Sequence, residues 1–364
     1  MRTTTARGCR GCGGTELARV LDLGKMPAAD DFPMLAATPE ADESGHPLAM
    51  DLCAACGLAQ LAEDDTHTAE PRGVEPLALR EQAADALARV AAAGWLGGRT
   101  VREFGSPHGG SWLPMLAERG FTETDGPADL VIDCFGIMHE PDQLMAFAQR
   151  AAATAPNGVL LLQFHSLRTI VEQGQWNALR HGHFAYYSLT ALRRLLDAAG
   201  MSVATAWEFD LYGGTILVAA VHAPITPDES VAAILATESA LGDADAVRHL
   251  QRDADRQAHA LRVWLEREHA RGHRVYAYGA ASRAISLLHL AGVHRGLLAA
   301  VADASPAKQG RRMSGTDVPI IAPAELVAAQ PDQVLLTVAD LLPEVATLWP
   351  ELDGKWVVDI PKPQ

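Results

Sequence analysis

Four of the five cysteines in this 364-residue chain form two CxxC pairs, Cys9-Arg-Gly-Cys12 and Cys53-Ala-Ala-Cys56. Four thiolates in this pattern can meet one ion, each pair on a tight knuckle eased by Gly11, Gly13 and Gly57. The spacing predicts a structural Zn2+ site, because four Cys ligands leave no coordination position for water or substrate. Two disulfides are the alternative, and they need an oxidising compartment. Met1 to Gly8 is polar and basic, with no apolar leader, and no segment is apolar for the length of a membrane helix. The expectation is a cytoplasmic chain with reduced thiols and no membrane partner.

Three further groups could do chemistry. Gln175-Trp-Asn-Ala-Leu-Arg-His181-Gly-His183-Phe-Ala-Tyr186-Tyr187-Ser188 packs two histidines and two tyrosines before a helix that Ser188 caps. A histidine needs only a small shift to act as an acid or base near neutral pH; the alternative is that His181 or His183 merely caps or packs. Glu103-x-Gly105-x-x-x-Gly109 lies where a strand turns into a helix, a corner at which glycines allow close backbone approach to a ligand. The corner at Tyr278-Gly279, with Arg283, Lys308, Arg311 and Arg312 nearby, has the charge to hold a diphosphate, although basic loop residues are also commonly just solvated.

The elements that carry these groups fall into three units. Residues 1–62 read as a small zinc-stapled unit with short strands at Leu21–Pro27 and Leu48–Leu61, too small to bury a core without its metal. Residues 76–222 read as a Rossmann-like unit: a helix over 76–94, the strand at Thr100, a helix over Ser111–Arg119, buried strands at Ala128–Cys134 and Gly158–Phe164, a helix over Gln143–Ala155, one over Leu189–Ala199, and strands at Val203–Asp210 and Thr215–Val221. Only Gly120 to Pro127 separates the second of these helices from Ala128, so one β-α-β unit is expected to be missing. Residues 229–364 read as a helical stretch, broken near Gly242, followed by a second α/β unit with strands at His273–Tyr278, Leu297–Asp303, Val334–Thr337 and Trp356–Ile360. The chain is 48% hydrophobic, enough for real cores, and its net charge of −15 argues against nucleic acid as a partner.

The order of these pieces resembles the zinc-containing C-methyltransferases that act on TDP-linked 4-keto-deoxysugars. The most specific parts are the four cysteines, the run through His183, and Ala302-Asp-Ala-Ser-Pro-Ala-Lys-Gln-Gly310. The resemblance implies a middle domain that binds S-adenosylmethionine (SAM) at Glu103, Gly105 and Gly109, and a C-terminal unit that helps hold a nucleotide-linked sugar. It implies that His183 is the base that removes the proton next to the sugar ketone, with His181 beside it. Tyr186 or Tyr187 is the candidate donor to the enolate. Tyr187, Gly213, Gly214, Tyr278, Arg283 and Lys308 are the expected substrate contacts.

The sequence also departs from that family. The family's Tyr-His-Glu-His order at the base reads Arg180-His181-Gly182-His183, and its HGGSxR run reads Tyr212-Gly213-Gly214-Thr215-Ile216-Leu217. Pro107 and His108 replace a polar pair in the SAM loop, and Glu70 to Leu79 replaces a tyrosine-rich segment. The missing β-α-β unit would remove the ribose and adenine contacts. Three readings follow: a SAM-dependent C-methyltransferase with a shortened cofactor site, a SAM-independent epimerase or isomerase of the same ketosugar, and a non-catalytic zinc-containing partner protein.

Overall fold

The computed structural model describes residues 8–37, 43–66, 75–107 and 109–358. Met1–Arg7, His108, Glu70–Val74 and the strand end at Asp359–Ile360 lie outside the described residues.

In the N-terminal unit β1 (Leu17–Met26) and β2 (His46–Cys53) are antiparallel, and β3 (Ala59–Leu61) follows on the far side of β2. β3 is buried throughout, and its side chains join a core that also contains Phe147, Leu160 and Leu195 from the next unit. So small a sheet cannot exclude water by itself, and it borrows apolar surface from its neighbour.

The middle unit begins with α1 (Leu77–Ala92), whose Ala83, Ala86, Leu87 and Val90 recur at helical spacing and are buried. There follow β4 (Thr100–Phe104), α2 (Leu113–Ala117), β5 (Thr122–Glu123), β6 (Ala128–Cys134), α3 (Gln143–Ala153), β7 (Thr154–His165), α4 (Leu167–Glu172), β8 (Ala185–Tyr186), α5 (Leu189–Ala198), β9 (Ser202–Phe209) and β10 (Thr215–Val221). Six of the strands form one sheet in the order β5-β4-β6-β7-β10-β9. β4 to β7 are parallel, and β10 runs antiparallel to both of its neighbours. Buried on both faces, β6 reads as a near-continuous apolar run, as parallel strands do. The second strand of the Rossmann-like order is present as the two residues of β5, so the gap foreseen between α2 and β6 is filled by a stub. A further helix and strand do not follow it. Ser188 caps α5 by accepting from Ala191 N, as its place in the sequence predicts.

The helical stretch is broken as expected: α6 (Glu229–Thr237), a 3-10 turn at Ser239–Gly242, α7 (Ala244–Val247) and α8 (His249–Ala270). The C-terminal unit contains β11 (Val275–Tyr278), α9 (Ser282–Leu290), β12 (Val301–Ala302), β13 (Ile320–Ile321), α10 (Pro323–Ala328), β14 (Gln333–Leu336), α11 (Leu342–Leu348) and β15 (Trp356–Val357). Its sheet is wholly parallel in the order β13-β12-β11-β14-β15, so the strand order reverses at β11 and opens a crevice where α9 starts. Among the described residues no helix is long and apolar enough to cross a membrane.

Candidate functional site

The four cysteines predicted to bind metal converge. Their sulfurs lie within 4.8 Å of one another, with Cys9–Cys56 at 3.5 Å and Cys12–Cys53 at 3.7 Å. A tetrahedron with Zn–S bonds of about 2.3 Å places its sulfurs about 3.8 Å apart, so the set fits a zinc ion. Each knuckle closes through a glycine with positive φ: Gly13 N donates to Cys9 O and Gly57 N to Cys53 O. Gly11 is constrained differently, since a Cβ there would stand 2.6 Å from Leu195 on α5. The Cys9 thiol is pulled down to about 5, chiefly by the hydrogen bond from Cys56, while Cys56 is pushed up; crowded thiols resist ionising together unless a cation joins them.

The zinc-type unit holds the histidine run. β8 pairs antiparallel with β3, with Ala59 opposite Tyr186 and Gln60 opposite Ala185. Asp64 Oδ2 accepts from Gly182 N at 2.7 Å, Leu61 N donates to Phe184 O, and His181 Nε2 lies 3.1 Å from Pro47 O. Arg10, between the first two cysteines, donates to Leu61 O and Pro141 O and lies over the Phe184 ring.

A cavity of about 290 Å³ opens between the middle and C-terminal units. One wall is the end of β4 and the loop after it, with Glu103 to Ser106 and Gly109 to Trp112; another is the end of β6 with Cys134 and Phe135; the third comes from the start of α9 with Arg283. A Cβ at Gly105 or Gly109 would meet nothing within 4 Å, so this loop leaves space. Glu103 does not point freely into that space: its carboxylate accepts from Ser111 Oγ at 2.5 Å and Trp112 N at 2.7 Å, holding the entry to α2, and burial raises its pKa. Across the cavity Asp303 accepts from Ala280 N and Ser305 N, and Lys308 Nζ donates to Ala280 O while lying over the Phe32 ring.

The inner end gathers His183, Arg180, His165, Tyr212, Phe135 and Arg283. Arg180 Nε donates to His183 Nε2 at 2.9 Å, and the His139 ring meets His183 edge-on at 4.4 Å. A guanidinium only donates, so the imidazole is the acceptor in this contact; the same Arg180 Nε lies 3.4 Å from His183 Nδ1. Phe135 and Tyr212 take left-handed backbone conformations, with φ of 61° and 55°, and their rings meet edge to face. For aromatic residues such values are uncommon and mark a constraint imposed by the surroundings. His165 is lowered to about 3 by burial first and then by the charge of Arg283, and its Nε2 has no hydrogen-bond partner among the described residues.

Not every residue singled out from sequence faces this cavity. His183, Tyr186, Glu103, Gly105, Gly109, Tyr278, Arg283 and Lys308 line it. Tyr186 is tied there, since its hydroxyl donates to Ala178 O and accepts from Arg180 N. His181 turns toward the N-terminal sheet and Pro47. Tyr187 lies in the core, its hydroxyl bonded to Gln143. Gly213 and Gly214 sit behind Tyr212, where a Cβ would strike Gln173, Gln175 or Thr169, so they serve close packing of backbone against side chains. His165 and Tyr212 were not anticipated as site residues. His165 is a polar residue at the carboxyl end of a parallel strand, the edge at which α/β folds place ligands, and that position is the signal it carries.

These features define an α/β protein in which a four-cysteine zinc-type unit is joined to a methyltransferase-like sheet. A family profile described as a C-methyltransferase C-terminal domain matches residues 210–361, a zinc binding domain profile matches residues 9–67, and a methyltransferase domain profile matches residues 115–206. C-methyltransferase NovU of Streptomyces niveus is 29% identical over 240 residues, which are 64% of this chain and 56% of that protein. The chain thus spans about half the length of the curated relative it matches. Among solved structures, magnesium protoporphyrin IX methyltransferase of Synechocystis is 16% identical over 40% of this chain and 84% of its own, with a TM-score of 0.31. A SAM-dependent methyltransferase of Thermotoga maritima is 14% identical over 40% and 92%, also at 0.31; at such scores nothing further rests on either. The chain is thus similar, part by part, to a zinc binding domain, a methyltransferase domain and a C-methyltransferase C-terminal domain, in that order along the sequence.

Proposed function

We propose that the protein is a C-methyltransferase that acts beside the ketone of a nucleotide-linked sugar, with His183 as the base and zinc in a structural role. The observation that carries this reading is the position of His183: an imidazole whose Nε2 lies 2.9 Å from Arg180 Nε lines a cavity walled on one side by the glycine loop after β4 and on the other by the C-terminal unit. A 4-keto group acidifies the neighbouring C–H, and a neutral imidazole can take that proton once Arg180 turns its N–H from Nε2 to the substrate. Tyr186 is bonded on both sides of its hydroxyl and positions the loop. Phe135, Met138 and Tyr212 line the same cavity with apolar and aromatic surface that would keep water from the reacting carbon. Gly105 and Gly109 leave room for the methionine end of SAM, which when bound would supply an electrophilic methyl group.

The test is incubation with TDP-4-keto-6-deoxyglucose and methyl-labelled SAM, followed by mass spectrometry of the sugar. Label on a ring carbon adjacent to the ketone is the expected result, and an unlabelled sugar speaks against methyl transfer. A second reading, proton transfer alone as an epimerase or isomerase, is favoured by one observation: β5 is two residues long and its acid, Glu123, is exposed and absent from the cavity wall. Deuterium incorporation without SAM, together with inverted stereochemistry, would single out that reading.

A further inference from the structure

Positive charge gathers at the inner end of the cavity. Arg283 lies deep between the units yet stays partly accessible through the cavity it lines. Among the described residues it makes no ion pair. Four acids near it are engaged elsewhere: Glu103 holds Ser111 and Trp112, Asp303 holds Ala280 N and Ser305 N, Glu344 accepts from Leu77 N, and Asp340 accepts from Tyr212 N while acting on Arg283 only through space; a fifth, Glu75, lines the same cavity and acts on Tyr212. Tyr212 offers Arg283 its ring face, with the guanidinium carbon 5.6 Å from the centroid. Burial, then the like charge of Arg180, lowers the pKa of Arg283. His165, which both arginines face, is held neutral and cannot offset either one.

A desolvated cation with no direct ion pair, balanced only by a carboxylate acting through space, destabilises a resting protein. It is useful where negative charge develops during a reaction, because an oriented donor then needs no reorganisation. We propose that Arg283, with Arg180, forms the oxyanion cradle for the enolate generated when His183 takes the proton. The inference rests on His183 being the base. In the step, the proton passes to His183 Nε2, the C–H electron pair becomes the new C=C bond, and the carbonyl π pair moves onto oxygen, where the guanidinium N–H groups donate to it. Arg180 contacts both the base and this end of the cavity, so it can exchange its bond to His183 for one to the forming oxyanion as the proton transfers.

The alternative occupant for Arg283 is the diphosphate of the nucleotide, and the experiment separates the two. Arg283→Met and Arg283→Lys are compared with the unaltered protein in deuterium incorporation from D2O into TDP-4-keto-6-deoxyglucose at saturating sugar, in TDP affinity by calorimetry, and in melting temperature. The cradle predicts that Arg283→Met loses about 10²–10³-fold of the saturating exchange rate. TDP affinity should be unchanged, the melting temperature unchanged or higher, and part of the rate restored in Arg283→Lys. Undiminished exchange overturns the proposal and leaves the base assignment standing. Weakened TDP binding with exchange intact at saturation assigns the arginine to the diphosphate instead and also overturns it. Absence of exchange in the unaltered protein sinks both the cradle and the assignment of His183 as base.

Discussion

His183 and His181 stand two residues apart and face different neighbours, which gives them different roles. His183 Nε2 meets Arg180 at the cavity, whereas His181 Nε2 meets Pro47 O behind it. His183→Asn should lower deuterium exchange into the ketosugar by about 10²–10⁴-fold, the usual contribution of a positioned base. His181→Gln should leave exchange intact and cost about 1 kcal/mol of stability through its lost hydrogen bond; the two variants are read by mass spectrometry and by denaturant unfolding. His165 makes a different prediction. An unfolded chain protonates this histidine near its ordinary value of about 6.5, whereas in the fold, beside Arg283, Arg180, Gln175 and Tyr212, it resists protonation until about 3. Its folded pKa is depressed, so stability is full above the unfolded value and is lost as pH falls below it. The loss is about 1.4 kcal/mol per pH unit for one such group. His181 is shifted in the same direction by burial. His165→Gln should therefore flatten the decline of melting temperature between neutral pH and pH 4; an unchanged slope refutes the assignment. At this scale the sequence shows which residues are reactive but not which way they face. The run from Gln175 to Ser188 reads as one cluster, yet it divides between cavity, core and N-terminal sheet, because β8 and the turn before it alternate their faces.

The strand that carries this loop belongs to another sheet. β8 leaves the middle unit and completes the order β1-β2-β3-β8, so the metal-stapled unit supplies the hydrogen bonds that fix the chain on either side of His183. Structural zinc usually contributes folding free energy directly. Here its removal should loosen β3, and with it the contact of Leu61 N with Phe184 O and that of Asp64 with Gly182. Cys12→Ser, or chelation, should lower the bound zinc from about one per chain and depress deuterium exchange in the same proportion. Hydrogen exchange should show amide protection lost in β3 and β8 before the C-terminal sheet. Loss of zinc with exchange and protection both intact contradicts this coupling. The paired cysteines and their glycines are legible in the sequence because their spacing is local. The pairing of β3 with β8 is not, since the two are separated by more than a hundred residues and β8 is only two residues long. The same shortness hides β5, whose two exposed residues carry no apolar pattern to read.

Over the whole molecule, the three units are interleaved around the cavity. Phe32 from the N-terminal unit enters the C-terminal core, Glu43 accepts from the two terminal guanidinium nitrogens of Arg312 at 2.6 Å, and Glu344 of α11 accepts from the first amide of α1. The cavity is therefore a product of assembly, and no single unit contains its walls. What the assembly leaves out bears on the proposed methyl donor. A full Rossmann-like order continues past the second strand, and an acid at that strand's end binds the ribose hydroxyls. Here the second strand is β5, its acid Glu123 faces solvent, and the chain proceeds directly to β6. Two charge-assisted hydrogen bonds to the ribose are then forgone, roughly 3–6 kcal/mol or two to four decades of affinity. Calorimetry should accordingly find S-adenosylhomocysteine bound more weakly than a full-sheet methyltransferase binds it, by that margin. Glu123→Gln should leave the value unchanged, because the carboxylate takes no part. Tight binding that is lost in Glu123→Gln would mean that β5 and its acid close over the ribose after all. In that case the shortened sheet gives no support to a proton-transfer activity, and methyl transfer alone would remain.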